Sequence, residues 1–192
     1  MIVNATRAQN TDYLGVRLFN GPSGVVFTNS EGKTLEYNKR LTSGWGVQYG
    51  HQSGSFMVEA GGSFSETNCS YAEPGLNTEL SMDFFRTSLT CAYLLFKGPV
   101  RLKVGAGMGT GHLLSGYQIN NGERTDLIAT NTFKKTEFTA GGEAGLLVQP
   151  SEKIQIQLSY FYRSGISNLE NINVQSTKIN ANGIQATIYF GL

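Results

Sequence analysis

KTEFTAGGEAGLLVQ (135–149), KIQIQLSYFYRSG (153–165) and KINANGIQATIYFGL (178–192) decide the fold. In the middle segment Ile154, Ile156, Leu158, Tyr160 and Tyr162 share one face. Lys153, Gln155, Gln157, Ser159 and Arg163 take the other, with Phe161 the exception. In the last segment Ile184, Ala186, Ile188, Phe190 and Leu192 oppose Gln185, Thr187 and Tyr189. Alternation sustained this far predicts strands whose two faces meet different surroundings. Strands of soluble domains mostly run about five or six residues. Segments of roughly ten, when tilted, are long enough to cross a bilayer.

Working outward, the same pattern appears at Tyr13–Phe19, Leu35–Tyr49, Ser55–Cys69, Ser81–Lys97 and Val100–Leu114. With Thr136–Val148 and the last two segments, the count is eight. The connections alternate between long and short. Long stretches begin near Asn20, where Val25, Val26 and Phe27 are placed to extend a strand beyond the main sheet, and near Ser70, Ser115 and Ser167, and tight turns lie near Gln52, Gly98 and Ser151. An even strand number with short turns on one rim and longer loops on the other is the layout of an up-and-down membrane barrel. Eight strands also close without an exposed edge. The fold predicted is an all-β, eight-stranded, antiparallel transmembrane barrel over residues 11–192, with both chain ends on the short-turn rim. Residues 1–10 read as a flexible N-terminal segment, the remnant of a signal peptide.

Composition narrows the function. Fifteen basic and fourteen acidic residues leave a formal charge of +1, and no basic stripe appears, so nucleic acid is not an expected partner. There is no apolar run of about eighteen residues, hence no transmembrane helix. Mean hydropathy is -0.19, which suits a membrane barrel because only alternate strand residues need be apolar. Pairing the third and fourth segments places Cys69 opposite about Met82 and Cys91 opposite about Ala60, too far apart for a disulfide. Both cysteines are expected to be free, with Cys91 acting as a small apolar residue.

The choice between a membrane barrel and a soluble ligand-binding barrel rests on which face is wet. The less apolar face carries Arg17, Glu59, Arg101, Lys103, Glu137, Glu143, Lys153 and Arg163. Gly105, Gly107, Gly109 and Gly111 share that face on one strand and leave room for long side chains. Charges inside a narrow barrel persist only when paired. Glu59 and Glu143 are the expected acceptors, with Arg101, Lys103 or Arg86 as donors. Two aromatic belts are also expected, one of Phe84, Phe85, Tyr160 and Tyr162 toward the long loops, the other of Trp45, Tyr49, Tyr93 and Phe96 toward the short turns.

Four stretches carry a family resemblance. Ser88 to Lys97 is an apolar strand ending in lysine. RLKVGAGMGTGHLLSG (101–116) is glycine-rich and ends in a leucine-leucine-serine pattern. FTAGGEAGLLV (138–148) and IQIQLSYFYRSGISNL (154–169) follow. In these the chain resembles the PorT-like outer-membrane β-barrel proteins of Bacteroidetes. The resemblance implies an outer-membrane location and, for some members, service in protein secretion or gliding motility. It carries no catalytic motif.

Chemistry is otherwise sparse. No GxxxxGK loop and no zinc-spaced cluster of cysteine and histidine occurs. His51 reads as an exposed residue of a tight turn. His112 lies on the lipid-facing parity with Met108, and Ser115 three residues later is expected on the opposite face, beyond the reach a base needs. No catalytic, cofactor-binding or metal-binding residue is assigned, and no cofactor is expected. The reading is a monomeric barrel in the cell outer membrane, not an enzyme, with a structural, adhesion or protein-interaction role rather than that of a general pore. Expected partners are the lipid bilayer and, through the long loops, other envelope proteins or extracellular ligands. The alternatives are a small-solute channel, a lipid-modifying enzyme acting through His112, and the soluble ligand-binding barrel.

Overall fold

The computed structural model describes residues 10–131, 133–170 and 175–192. Ten strands run in chain order: β1 (Asn10–Thr28), β2 (Thr34–Glu36), β3 (Asn38–Ser53), β4 (Phe56–Glu73), β5 (Leu76–Leu95), β6 (Val100–Asn120), β7 (Glu123–Asp126), β8 (Thr136–Ser151), β9 (Ile154–Gly165) and β10 (Ser176–Gly191). Eight of them form an antiparallel ring in sequence order, closed by β10 on β1 from Tyr13↔Gly191 to Thr28↔Ser176. The short β2 and β7 are appended to β1 and β6. Of the N-terminal segment read at 1–10, all but Asn10 lies outside the described residues.

The three short turns lie where they were expected, two of them at glycines. Gly54-Ser55 joins β3 to β4, with Gly54 at φ 61°, a left-handed conformation that costs glycine least. Residues 96–99 join β5 to β6, and Glu152-Lys153 joins β8 to β9. Pro150 falls where the β8–β9 register shifts, a place that tolerates a missing N–H. Pro22 likewise sits where the β1–β10 ladder lapses between Asn20 and Ser23. Beside it Gly21 meets Gly183 of β10 so closely that a Cβ on Gly21 would stand 2.4 Å from the Cα of Gly183.

The opposite rim corrects the expected loops. The stretch Asn20 to Lys33 is mostly strand, and only residues 29–33 turn. The connection expected from Ser70 onward is a two-residue turn at Pro74-Gly75, with Gly75 at φ 86°. The stretch from Ser115 continues β6 to Asn120, turns through Asn121 and Gly122 at φ 49° and 89°, and returns as β7. Near Ser167 the loop is as expected, with no strand among the described residues between Gly165 and Ser176 beyond the bridge of Glu170 to Phe133, and the two rims differ chiefly through a tall overhang of paired strands.

The wall divides into two zones. In the membrane band the exterior is apolar: Leu18 is 61% exposed, Leu158 56%, Ile184 60% and Met108 69%. Gln155, Gln157, Ser159, Gln185 and Thr187 on the alternate positions are buried inside. This is the inverse of a soluble barrel. In the overhang the faces exchange. Val25, Cys69, Leu80, Met82, Phe84, Leu113, Leu127, Phe133, Leu169 and Ile179 form an apolar core inside, while Glu79, Ser81 and Asp83 look outward. A smaller core of Tyr13, Met57, Ala92, Leu94, Leu147 and Tyr189 closes the short-turn end.

The belts are partly as expected. Trp45 pairs with Leu18 and Phe64, and its ring stacks on Phe64 at 5.3 Å, which in turn meets Phe85 at 5.2 Å. It therefore belongs to the outer belt, about nine residues above its turn at roughly 3.4 Å per residue, and not to the short-turn belt. Phe84 points inward and belongs to no belt. Cys69 faces Leu80 and Cys91 faces Val58, a two-residue offset from the expected register. Both thiols are free, Cys69 buried and Cys91 on the lipid face.

Candidate functional site

The interior of the membrane band is a belt of polar side chains drawn from all eight long strands. At its centre Lys103 of β6, fully buried, places Nζ 2.5 Å from Oε2 of Glu59 on β4 and donates to Oε1 of Gln157 on β9 at 2.8 Å. It also lies 2.6 Å from Oε1 of Glu143 on β8, an ion pair whose angle falls short of a hydrogen bond. Gln48 donates to Glu59 Oε1 at 3.1 Å, and Tyr189 Oη contacts Glu59 and Gln157. Gln157 and Gln185 donate to Glu143 Oε2, the former at 3.1 Å. A charge that leaves water is retained only with this degree of pairing.

Above this network Arg86 of β5 donates through Nη1 to Oε2 of Glu137 at 2.7 Å and through Nε to Ser65 Oγ at 2.9 Å. Its guanidinium also lies 4.2 Å over the ring of Phe84, where the belt meets the outer core. Gly111 makes room for it, since a Cβ there would stand 2.7 Å from Nη1. Arg17 and Arg163 face the same space.

Glu59 and Glu143 are acceptors, as expected, and Lys103 serves both. Arg86 instead pairs with Glu137, and Arg101 bonds Gln149 at 3.1 Å nearer the short-turn rim. Lys153, expected inside, is exposed in its turn. The glutamines and Tyr189 that complete the network were legible only as members of the inward face, because their partners lie on strands distant in sequence.

The histidines do not build a catalytic group. His51 lies within β3 rather than in a turn, and its Nδ1 is 2.7 Å from Asp12 Oδ1, which also accepts from Tyr49 Oη at 2.5 Å. His112 is exposed on the lipid side. Ser115 shares that outer side, contrary to the expected opposite face, because the register shifts between Asp83 and Phe84 and Leu114 is the extra residue. Ser115 Oγ donates to Asp83 at 2.5 Å, so its proton is directed to a carboxylate rather than to an imidazole. Among the described residues no three of His, Cys, Asp and Glu gather as a metal site.

Outside the band the acidities of Cys69 and Asp126 are shifted in opposite directions. Burial pushes the Cys69 thiol up to about 12. Asp126 is held below its ordinary value by the backbone N–H groups of Ala129 and Ile128, which its carboxylate accepts.

A closed ring of eight long antiparallel strands, greasy outside and ion-paired within, is a transmembrane β-barrel of the outer-membrane kind. The match to the outer membrane protein beta-barrel domain spans residues 2–188, and the chain belongs to that family. It is accordingly an outer-membrane protein in contact with the lipid bilayer. No curated protein matches it. Among solved structures it is similar to the outer membrane protein OprG from Pseudomonas aeruginosa, with 11% identity, 96% of this chain and 94% of that one covered, and a TM-score of 0.55. It is also similar to Neisserial surface protein A, with 11% identity, coverage of 92% and 96%, and a TM-score of 0.51. At such identities the likeness concerns the fold alone.

Proposed function

We propose that this barrel is a non-catalytic structural or recognition element of the outer membrane, anchoring a rigid overhang that engages envelope proteins or extracellular ligands, and that it is not a general pore. The observation that carries this reading is an interior plugged by apolar cores at both ends. An apolar core caps each end, and between them the belt binds Lys103 to two carboxylates and Arg86 to a third. Small eight-stranded barrels have interiors filled by side chains, and a diffusion path needs connected water. The overhang supports recognition because it is braced: Arg40 on β3 reaches across β4 to Glu79 on β5 at 2.9 Å. Recognition surfaces are best held on a rigid scaffold. The likeness of the stretches 88–97, 101–116, 138–148 and 154–169 to PorT-like barrels supports a place among the Bacteroidetes envelope proteins.

The test is twofold. The refolded protein, placed in planar bilayers and in liposomes, should show no sustained conductance and no sugar uptake. Envelope partners captured by the intact protein should be lost when residues 29–33 and 123–131 are replaced by minimal turns. Steady conductance with sugar permeation would overturn the reading, as would unchanged capture.

A further inference from the structure

Inside the belt the charges do not balance. Four cations, Arg17, Arg86, Lys103 and Arg163, share the space with three carboxylates, Glu59, Glu137 and Glu143. Lys103 takes two of those carboxylates and Arg86 the third. Among the described residues neither Arg17 nor Arg163 has an ion-pair partner. Arg17 lies over the ring of Phe19, 5.8 Å from its Cζ. A lysine so placed sheds its proton, but a guanidinium does not. Arg17 and Arg163 are half-buried inside the belt, and an excess guanidinium charge drawn out of bulk water in this way calls for a counter-ion.

The space for one is present. A cavity of about 100 Å³ is bordered by Arg17, Arg86, Arg163, Ser63, Thr139 and Gln185. One water needs roughly 10–15 Å³ on the same measure. Gly109 and Gly141 belong to its wall, where a Cβ would stand 2.4 Å from the carbonyl oxygen of Thr87 and 2.2 Å from that of Tyr162, so the strands approach closely there. Two guanidinium nitrogens, Arg17 Nε and Arg86 Nη2, are buried without an acceptor, and Arg86 is only 4% exposed. Glu143 borders the cavity, but its oxygens are engaged by Lys103, Gln157 and Gln185.

We infer that this cavity is a binding site for a small inorganic oxyanion of the phosphate or sulfate type, held by Arg17, Arg86 and Arg163. Paired N–H groups of guanidinium match an oxyanion's oxygens better than they match a spherical halide. The hydroxyls of Ser63 and Thr139 supply further donors.

Thermal unfolding of the detergent-refolded protein, read by its heat-dependent gel mobility, tests this with sodium phosphate against sodium chloride at equal ionic strength. Phosphate should raise the midpoint along a saturating curve, as expected for a ligand bound by the folded state alone. Arg17→Gln removes the uncompensated charge. It should raise the midpoint in chloride and weaken the phosphate response at least tenfold in concentration. Arg163→Lys keeps the charge but loses the fork, and should fold and weaken the response likewise. Crystals grown with selenate should place its anomalous signal between the three arginines. The inference falls if phosphate gives no more stabilisation than chloride, if both variants respond as the parent does, or if the cavity holds water alone.

Discussion

In the membrane band the barrel turns apolar side chains outward and polar ones inward; in the overhang, on the same continuous strands, it does the reverse. Strand β5 shows both. Leu89 and Phe85 face lipid while Arg86 faces the belt, and five residues further toward the rim Leu80 faces the interior while Ser81 looks outward. The backbone does not change; the solvent outside it does. Lipid demands apolar contact and leaves the polar groups to satisfy one another within, whereas water outside the overhang permits an ordinary apolar core. The exchange is marked by adjacent apolar residues that point to opposite faces: Leu18-Phe19, Phe84-Phe85 and Leu113-Leu114 at the outer boundary, Leu94-Leu95 and Leu146-Leu147 at the inner.

The contrast predicts different failures in the two zones. Lys103→Met should be the most damaging change, costing about 3–5 kcal/mol because it strands Glu59 and Glu143 as uncompensated buried charges. Urea unfolding of the refolded barrel would measure it, and adding Glu59→Gln should recover part of the loss. If Lys103→Met were neutral, the belt would not be what holds the band. Leu80→Ala in the overhang should cost about 2–4 kcal/mol through the cavity it leaves. That loss should be local. Hydrogen exchange should rise in β4–β7 above the band while the heat-dependent gel shift persists. Uniform exchange through the whole barrel would merge the two zones into one cooperative unit.

Cys69 sharpens the same boundary. It lies opposite Leu80 and is buried, and burial pushes its thiol up to about 12, so it stays protonated at pH 8. Iodoacetamide should leave it unlabelled in the parent and label it readily in Leu80→Ala. Asp126 should show the smallest effect. Its folded acidity lies below the ordinary 3.8, so its tether on the 126–130 turn is complete above that value and is lost as pH falls through the lowered one. Asp126→Asn should abolish any change in that turn's amide signals between pH 5 and pH 2 while leaving global stability unchanged.

Much of the band was legible from sequence because its alternation is uninterrupted. Strand β9 matches the segment read at Ile154 onward, and its inward glutamines and outward Ile156, Leu158 and Tyr160 are where period two puts them. The overhang was misread as loops for a specific reason. When apolar residues change face in mid-strand, the pattern contains a phase slip, and a phase slip looks like the end of a strand. Trp45 was assigned to the wrong rim because β3 runs on to Ser53, four residues beyond the segment read to Tyr49, and Ser115 to the wrong face because the bulge at Leu114 adds one residue to the count.

The eight strands of the ring, the two faces of the band and the membrane setting follow from residue order alone, since each depends on local periodicity that a strand expresses without help from its neighbours. Which carboxylate meets which cation does not. Glu59 and Lys103, 44 residues apart, become partners only when the ring closes and the register of every intervening strand is set. The same closure brings Arg17, Arg86 and Arg163 around one cavity, because long-range electrostatics inside a barrel depend on its stagger and width, quantities that no single strand contains.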